Sequence, residues 1–536
     1  MRVLALISIL ATLAVAADES PRSRSRSRRH EVRGNDNDQG NNNNNQGNNN
    51  NNNQGNNNNN QGGHAPSTTA KVSSTSAAHV SSTSVPVSVS ETSAVSVPTS
   101  EAASTTEEPT STSSVPATTT SAAGAATTTC VVASSGFVDD VANAQAAAAA
   151  CASNAVIEFS TGVDYVFQTP VTMSGLTNVE IRMNGNLHLP SNMTHVLEVI
   201  ATNTNLRWFN FKGTNVQYIG SKDLDNGWIY GYGQQYWDAN PANGTGIANR
   251  PHLATWELYD SSITTLKIRK PPAWCNSIKG KGITISDVFL DATTHDLGGF
   301  PFNTDGFDVA ATDVVIQDIV VLNGDDAVAI NNDAHNVLVQ RALMGGPGSH
   351  GMSIGSLGKD ATVYQNVSNI HFKDITAVNS LYAARFKSYD GGWGDVKNVT
   401  WENFHLVNVS FPIYITQKYY NQALTTNSTT SSNSTSAVNM DSFTWKNWRG
   451  TINSYQPGDA TCVSDPCWYD VDGADRTQAA IISCATDSSC TNYVMDDVQL
   501  IPQAMDATTS VICENVPAAN NPNFGIVCEN GAFTYA

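Results

Sequence analysis

The chain has 536 residues, with 47 acidic against 28 basic side chains and a formal net charge of -19. That balance excludes broad nucleic-acid binding, and it requires any polyanionic ligand to be met by a locally basic cleft. No stretch after the first residues offers about eighteen consecutive apolar residues, so no membrane span is expected.

Residues 1–17 pair Arg2 with a short apolar run, Val3 to Val15, and the small residues Ala16 and Ala17, the pattern of a signal peptide. A secreted, extracellular protein is the expectation. Residues 18–129 carry an Arg-Ser run ending at Arg28-Arg29, an Asn/Gln/Gly tract from Asn41 to Gly63, and a Ser/Thr/Ala/Val/Pro stretch. This composition cannot bury a core and predicts a disordered stalk, O-glycosylated in its Ser/Thr/Pro part. The Arg-Ser run resembles an RNA-binding arm; behind a signal peptide a processing site or solvated spacer is the better reading.

At Cys130 the composition changes, and residues 130–536 read as one large domain. An Ala-rich helix, Val138 to Ala152, opens it. Short apolar runs then recur at Val179, Ile263, Gly282, Val314, Val337, Ile370, Val399 and Phe443, and from Ile283 their spacing is roughly 23 to 44 residues. A β-sandwich would place turns every 8 to 12 residues or so. The spacing instead predicts an all-β solenoid, a single-stranded right-handed parallel β-helix whose first rung is capped by the short N-terminal helix.

Cysteines at 130, 151, 462, 467, 484, 490, 513 and 528 cluster near the two ends of the domain and leave Cys275 as the candidate free thiol. Their partners stay open. They lack paired metal-ligand doublets with histidines, so no zinc site is expected. Seven N-x-S/T sequons, at Asn192, Asn243, Asn366, Asn398, Asn408, Asn427 and Asn433, fit surface glycosylation.

Asp305 lies in NTDGFD, Asp325 and Asp326 in NGDD, His350 in GSHG, and Arg385 and Lys387 in RFK. Singly, each has an ordinary explanation: a solvated turn or calcium-type Asp pair, a loop histidine, a strand with a charged edge. In order, at separations near one coil, they would gather three carboxylates, an imidazole and two cations on one face. Neighbouring strand residues point to opposite faces, so Asp325 and Asp326 share a cleft only if the backbone bends, which Gly324 would permit. Arg385 and Lys387, two residues apart, share a face naturally, with Phe386 turned inward.

The series NTD, GDD, SHG and RFK resembles the signature of glycoside hydrolase family 28, the polygalacturonases. NGWIYGYGQQYWDA at 226–239 looks like the family's substrate-cleft strand, and KPPAW at 270–274 like the segment before its catalytic coils. The resemblance implies inverting hydrolysis of pectic polysaccharide without metal or other cofactor. Asp325 would be the general acid, Asp305 and Asp326 would activate water, and His350 would support the acid. Arg385 and Lys387 would bind the galacturonate carboxylate, with Tyr419 against the sugar ring. Phe386 stands where the family usually has Ile. Ala327 and Gly346 stand where it commonly has two cysteines, which points to a lost disulfide.

GSHGMSIGSLG at 348–358 resembles exo-acting and branched-pectin members. An exo-polygalacturonase is therefore expected, acting as a monomer. The alternatives are an endo-polygalacturonase, a rhamnogalacturonan or xylogalacturonan hydrolase, and, in another class, a non-catalytic wall-binding module.

Overall fold

The structure is a computed structural model. It describes residues 128–536 except 204–205, 241–245, 296–297, 347, 420–435, 456–470, 472 and 505. The expected signal peptide, the stalk up to residue 127, Cys462, Cys467 and the sequons Asn243, Asn427 and Asn433 lie outside the described residues, while residues 128–129 of the expected stalk begin the first strand, Thr128–Val131.

The strands stack in parallel, each coil pairing with the next, as in a right-handed parallel β-helix. One coil shows how the sequence makes a rung. Phe307–Leu322 runs continuously around three faces, pairing 307–309 with 276–278 and 328–330, and 314–317 with 283–286 and 337–340. Its alternating burial sends Phe307, Val309, Ile316 and Val321 into the solenoid. Successive rungs put like side chains above one another: Trp401 stacks on Trp445 at 5.4 Å and Phe404 on Trp448 at 4.3 Å between centroids.

Two corners of each coil use the left-handed backbone region, which Asn and Asp tolerate better than other side-chain-bearing residues. Asp313, Asn336, Asn369 and Asn398 have φ near +57° (58°, 56°, 58° and 56°). Each amide donates to the carbonyl or carboxylate oxygen one rung earlier at 2.8 to 2.9 Å, forming an external ladder. Asp374, Asn403 and Asn447 repeat the device at a second corner. The sequons Asn398 and Asn408 use their amides in these rung-to-rung bonds.

The expected capping helix, α1, spans Val141–Ala150 and lays Ala144, Ala147 and Ala148 over the first rungs. Its leading residue Asp140 is buried and accepts from the Ser135 and Val166 backbone N–H groups. Disulfides join Cys130 to Cys151, Cys484 to Cys490 and Cys513 to Cys528, and Cys275 is a buried free thiol. No described helix is long and apolar enough to cross a membrane.

Candidate active site

The expected site residues come from successive coils, mostly from the loops that lead into the face containing 276–278, 307–309, 328–330, 352–354 and 384–386. Backbone bonds run Cys275 N–H to Asp305 C=O, Gly306 N–H to Asp326 C=O, and His350 N–H to Asp325 C=O. Asp305, Asp326 and His350 are thereby stacked one rung apart, about 4.8 Å per step. Arg385 lies in the next strand, opposite Ser353.

Asn323 stitches these turns together, its amide donating to the carbonyl oxygens of Thr304, Asp325 and Asp326 at 2.7 to 3.0 Å. Gly324 is required for a reason other than the bend expected of it. A side chain there would meet the Pro301 carbonyl oxygen at 2.5 Å, while its φ is not left-handed. The bend is closed by Asp325 itself, whose Oδ1 accepts from the Asp326 N–H at 2.8 Å.

Asp326 is the buried hub for the cations. Lys387 Nζ donates to its Oδ2 at 2.9 Å and Arg385 Nη1 to its Oδ1 at 3.3 Å. Burial works most strongly against both cations, but the charges of Asp326, Asp325 and the neighbouring tyrosines together hold each above its ordinary range. Within the protein the pair is thus engaged by a buried carboxylate. Tyr382 and Tyr419 flank it, with the Arg385 guanidinium 4.7 Å from the Tyr382 ring centre and Lys387 Nζ 5.6 Å from that of Tyr419.

Asp325 is held from three sides. His350 Nδ1 lies 3.0 Å from Oδ1, and Asn303 Nδ2 donates to Oδ2 at 3.1 Å. Burial would raise this carboxyl, but a cationic His350, then Lys387 and Arg385, hold it well below the usual carboxylate range. Asp305 has the opposite bias. Burial and the charges of Asp325, Asp308 and Asp326 push it well up, and its Oδ1 has no hydrogen-bond partner. The two carboxyls are thus biased in opposite directions, Asp305 toward its protonated form and Asp325 toward its ionised form, whereas the sequence led us to expect Asp325 to be the protonated one.

Arg385 supplies a counterweight. Its Nη1 is 2.8 Å from His350 Nδ1, and a guanidinium has only hydrogens to offer. A bare Nδ1 accepts from Arg385, whereas a protonated Nδ1 donates to Asp325 Oδ1, and its single in-plane position serves one of the two at a time. The protonation of the imidazole therefore decides which of the two partners it bonds.

Asp325, Asp326 and His350 place three potential ligand atoms within 4.8 Å of one another. Lys387 and Arg385 already cover these atoms with positive charge, so the donor set suits a proton better than a metal cation.

Sequence reasoning missed several neighbours. Arg250 donates to the Phe302 carbonyl and, at 2.9 Å, to Asn303 Oδ1, which turns the Asn303 amide nitrogen toward Asp325. Asp308, in the same NTDGFD, is pushed up to about 7, mainly by burial. His252 and Trp274 occupy the rungs before Asp305, as the Leu253 N–H to Trp274 C=O bond shows. Coil-spaced inspection upstream of Asp305 would have found them, since Arg207, His252, Trp274 and Asp305 form one column. The segment 226–239 departs from its expected place: 228–230 pair with 267–269 on a flanking face, and Trp228, Tyr236 and Trp237 are buried.

The model of "Glycosyl hydrolases family 28" matches residues 151–468. A protein of Aspergillus niger named "Probable exopolygalacturonase C" is 49% identical over 404 residues, 75% of this chain and 90% of that protein. A protein of the same name from Aspergillus flavus is 47% identical, covering 76% of this chain and 92% of the relative. Among solved structures, endo-xylogalacturonan hydrolase from Aspergillus tubingensis superposes with a TM-score of 0.60 at 23% identity, covering 75% of this chain and 99% of that one. That last likeness concerns the fold.

Proposed function

Because this chain belongs to glycosyl hydrolase family 28, we propose that it hydrolyses the α-1,4-galacturonosyl bonds of pectin from chain ends, releasing galacturonic acid. It is an extracellular glycoside hydrolase. The observation that carries the reading is the convergence, from successive coils, of three buried carboxylates, an imidazole and two buried cations on an acidic protein.

Asp325 acts as general acid toward the glycosidic oxygen once it is protonated, and His350 Nδ1, 3.0 Å from its Oδ1, is placed to hand it that proton. Asp326, and Asp305 once it is ionised, orient and deprotonate the attacking water, the division of labour that inversion at the anomeric carbon requires. Three clustered carboxyls do not all ionise cheaply, which keeps one proton in the cluster for catalysis. Lys387 has three hydrogens and spends one on Asp326, so it and Arg385 can also meet a substrate carboxylate, with Tyr419 beside the sugar. No step calls for a cofactor. A signal peptide over residues 1–17 and a monomeric state complete the reading.

The test is product analysis on polygalacturonate. Release of galacturonic acid alone from the earliest time point is expected. Early oligomers would replace the exo reading with an endo one, and no reducing-sugar release would leave a wall-binding module.

A further inference from the structure

The sequons within the described residues are not alike. Asn398 and Asn408 spend their amides on rung-to-rung bonds, and Asn192 caps a helix by accepting from the His195 N–H. Asn366, in Asn366-Val-Ser368, has an exposed side chain that makes no hydrogen bond among the described residues; only its backbone N–H is engaged, donating to Asn332 Oδ1 at 2.7 Å.

Beside Asn366 lies an aromatic patch that the mechanism above does not use. Alternation along the strand turns Tyr364 and Asn366 outward with Gln365 buried between them, and on the next rung Trp393 and Asp395 face outward with Gly394 buried between them. Gln365 pairs with Gly394 and Asn366 with Asp395, which brings Tyr364 level with Trp393. The two rings meet edge to face, 5.1 Å between centroids, and the Tyr364 hydroxyl donates to Asp395 Oδ2, so the pair is fixed in place. Trp393 is nevertheless 50% exposed and Tyr364 41%, with Val363 open beside them. The patch stands one tight turn beyond the strand Tyr382–Tyr389 that carries Arg385 and Lys387.

Fixed rings facing water gain free energy when something apolar covers them. A pyranose does this well, because its C–H groups pack on an aromatic face while its hydroxyls stay in water at the edge. A sugar attached at Asn366 Nδ2 begins two residues along the strand from Tyr364, roughly 7 Å, and one rung, about 4.8 Å, from Asp395. We propose that Asn366 carries an N-linked glycan whose inner sugars lie over Tyr364 and Trp393, so that the patch is the docking face of the chain's own glycan. The bond joins Nδ2, which loses a proton, to the anomeric carbon of a lipid-pyrophosphate-linked oligosaccharide, and the lipid pyrophosphate leaves with the electron pair of the broken C–O bond. That transfer takes place on the nascent chain, so the fold decides where the glycan lies rather than whether it is attached. The proposal rests on the extracellular reading, which takes the chain through the secretory pathway, and is independent of the hydrolase reading.

Two measurements on the full chain secreted from a fungal host test this. Peptide mapping after peptide N-glycosidase F in heavy-oxygen water should show labelled deamidation at Asn366. Hydroxyl-radical footprinting then compares wild type with Asn366→Gln, reading oxidation of Tyr364 and Trp393, with the exposed Trp274 as internal reference. Loss of the glycan should raise labelling of both residues about twofold, since a stacked sugar covers one of the two faces of a ring, and leave Trp274 unchanged. If Asn366→Gln is not secreted, native wild type treated with the glycosidase takes its place. An unmodified Asn366 overturns the proposal, as does equal labelling of Tyr364 and Trp393 with and without the glycan. Protection of the two rings only on adding polygalacturonate also overturns it and gives the patch to the polymer instead. None of these outcomes depends on turnover, so a protein that releases nothing from polygalacturonate leaves the glycan site standing.

Discussion

Arg385 Nη1 lies 2.8 Å from His350 Nδ1, the same nitrogen that faces Asp325 Oδ1 at 3.0 Å. The guanidinium and the carboxylate thus meet at one nitrogen, which can serve only one of them at a time. Asp325→Asn removes the carboxyl that would donate to the glycosidic oxygen but keeps an acceptor for the Asp326 N–H. Galacturonate release should fall by roughly 10²–10⁴-fold, the range typical of losing general acid–base catalysis. The circular dichroism spectrum should not change. Activity within tenfold of wild type would remove Asp325 from the acid role.

Lys387→Met acts on two levels, since Lys387 serves Asp326 and, in our reading, the substrate. Asp326 keeps Arg385 as partner, so the stability loss should fall at or below the lower end of the roughly 3–5 kcal/mol typical of breaking a buried pair. Denaturant midpoints measure that part. The preference for polygalacturonate over a neutral galactan should collapse; a folded variant with its preference intact would place the carboxylate contact elsewhere.

Asp308 gives a pH dependence with a definite sign. Its folded-state carboxyl is raised to about 7 from 3.8, so between those values the native state binds the proton more tightly than the unfolded chain does. Its contribution to stability is full below about pH 4 and is lost as pH rises toward 7, with a slope of up to about 1.4 kcal/mol per unit. Asp305, raised by the same burial, adds in the same direction. Asp308→Asn should flatten the decline in urea midpoint between pH 4 and 7. An identical slope in the variant would show that Asp308 does not titrate in this window.

The corner ladder predicts a graded series at Asn369, which has φ of +58° and hydrogen-bonds to Asn336 and Asn398. Asn369→Ala forfeits both amide contacts and strains a left-handed position, a loss of about 1–3 kcal/mol. Asn369→Gly loses the contacts but keeps the backbone freedom, and should fall between Ala and wild type in thermal melts. Equal stability of the Ala and Gly variants would deny the backbone its share.

What the sequence disclosed and withheld follows from the physics of the coil. Val314, Val337, Ile370 and Val399 announced the stacked rungs because an inward position repeats once per turn and must be apolar. The same periodicity grouped Asp305, Asp325, Asp326 and His350. It could not show that Lys387 and Arg385 settle on Asp326, because side-chain reach is set by burial and competing charge. Nor could it show the opposite biases of Asp305 and Asp325, which sum burial with the charges of their neighbours. Arg250 escaped notice because it approaches from a connecting loop, where no period constrains it. The Asn ladder was legible after the fact: Asp313, Asn336, Asn369 and Asn398 each immediately precede one of the stacked inward residues Val314, Val337, Ile370 and Val399.

The separation of rungs from loops has a consequence for how such a chain can vary. Two coils show it: 23 residues separate Val314 from Val337 and 44 separate Val399 from Phe443, yet both pairs are direct ladder neighbours. The pairing register is indifferent to that difference in length. Segments can therefore be gained or lost at the cleft rim, altering which polymer ends or branches are admitted, without changing the register that sets Asp305, Asp326 and His350 one above another. A single residue inserted within 307–309 or 328–330 would instead shift every later side chain of that strand to the opposite face. Substrate range can diversify by length change in the loops, while the reaction itself is confined to positions where length is fixed.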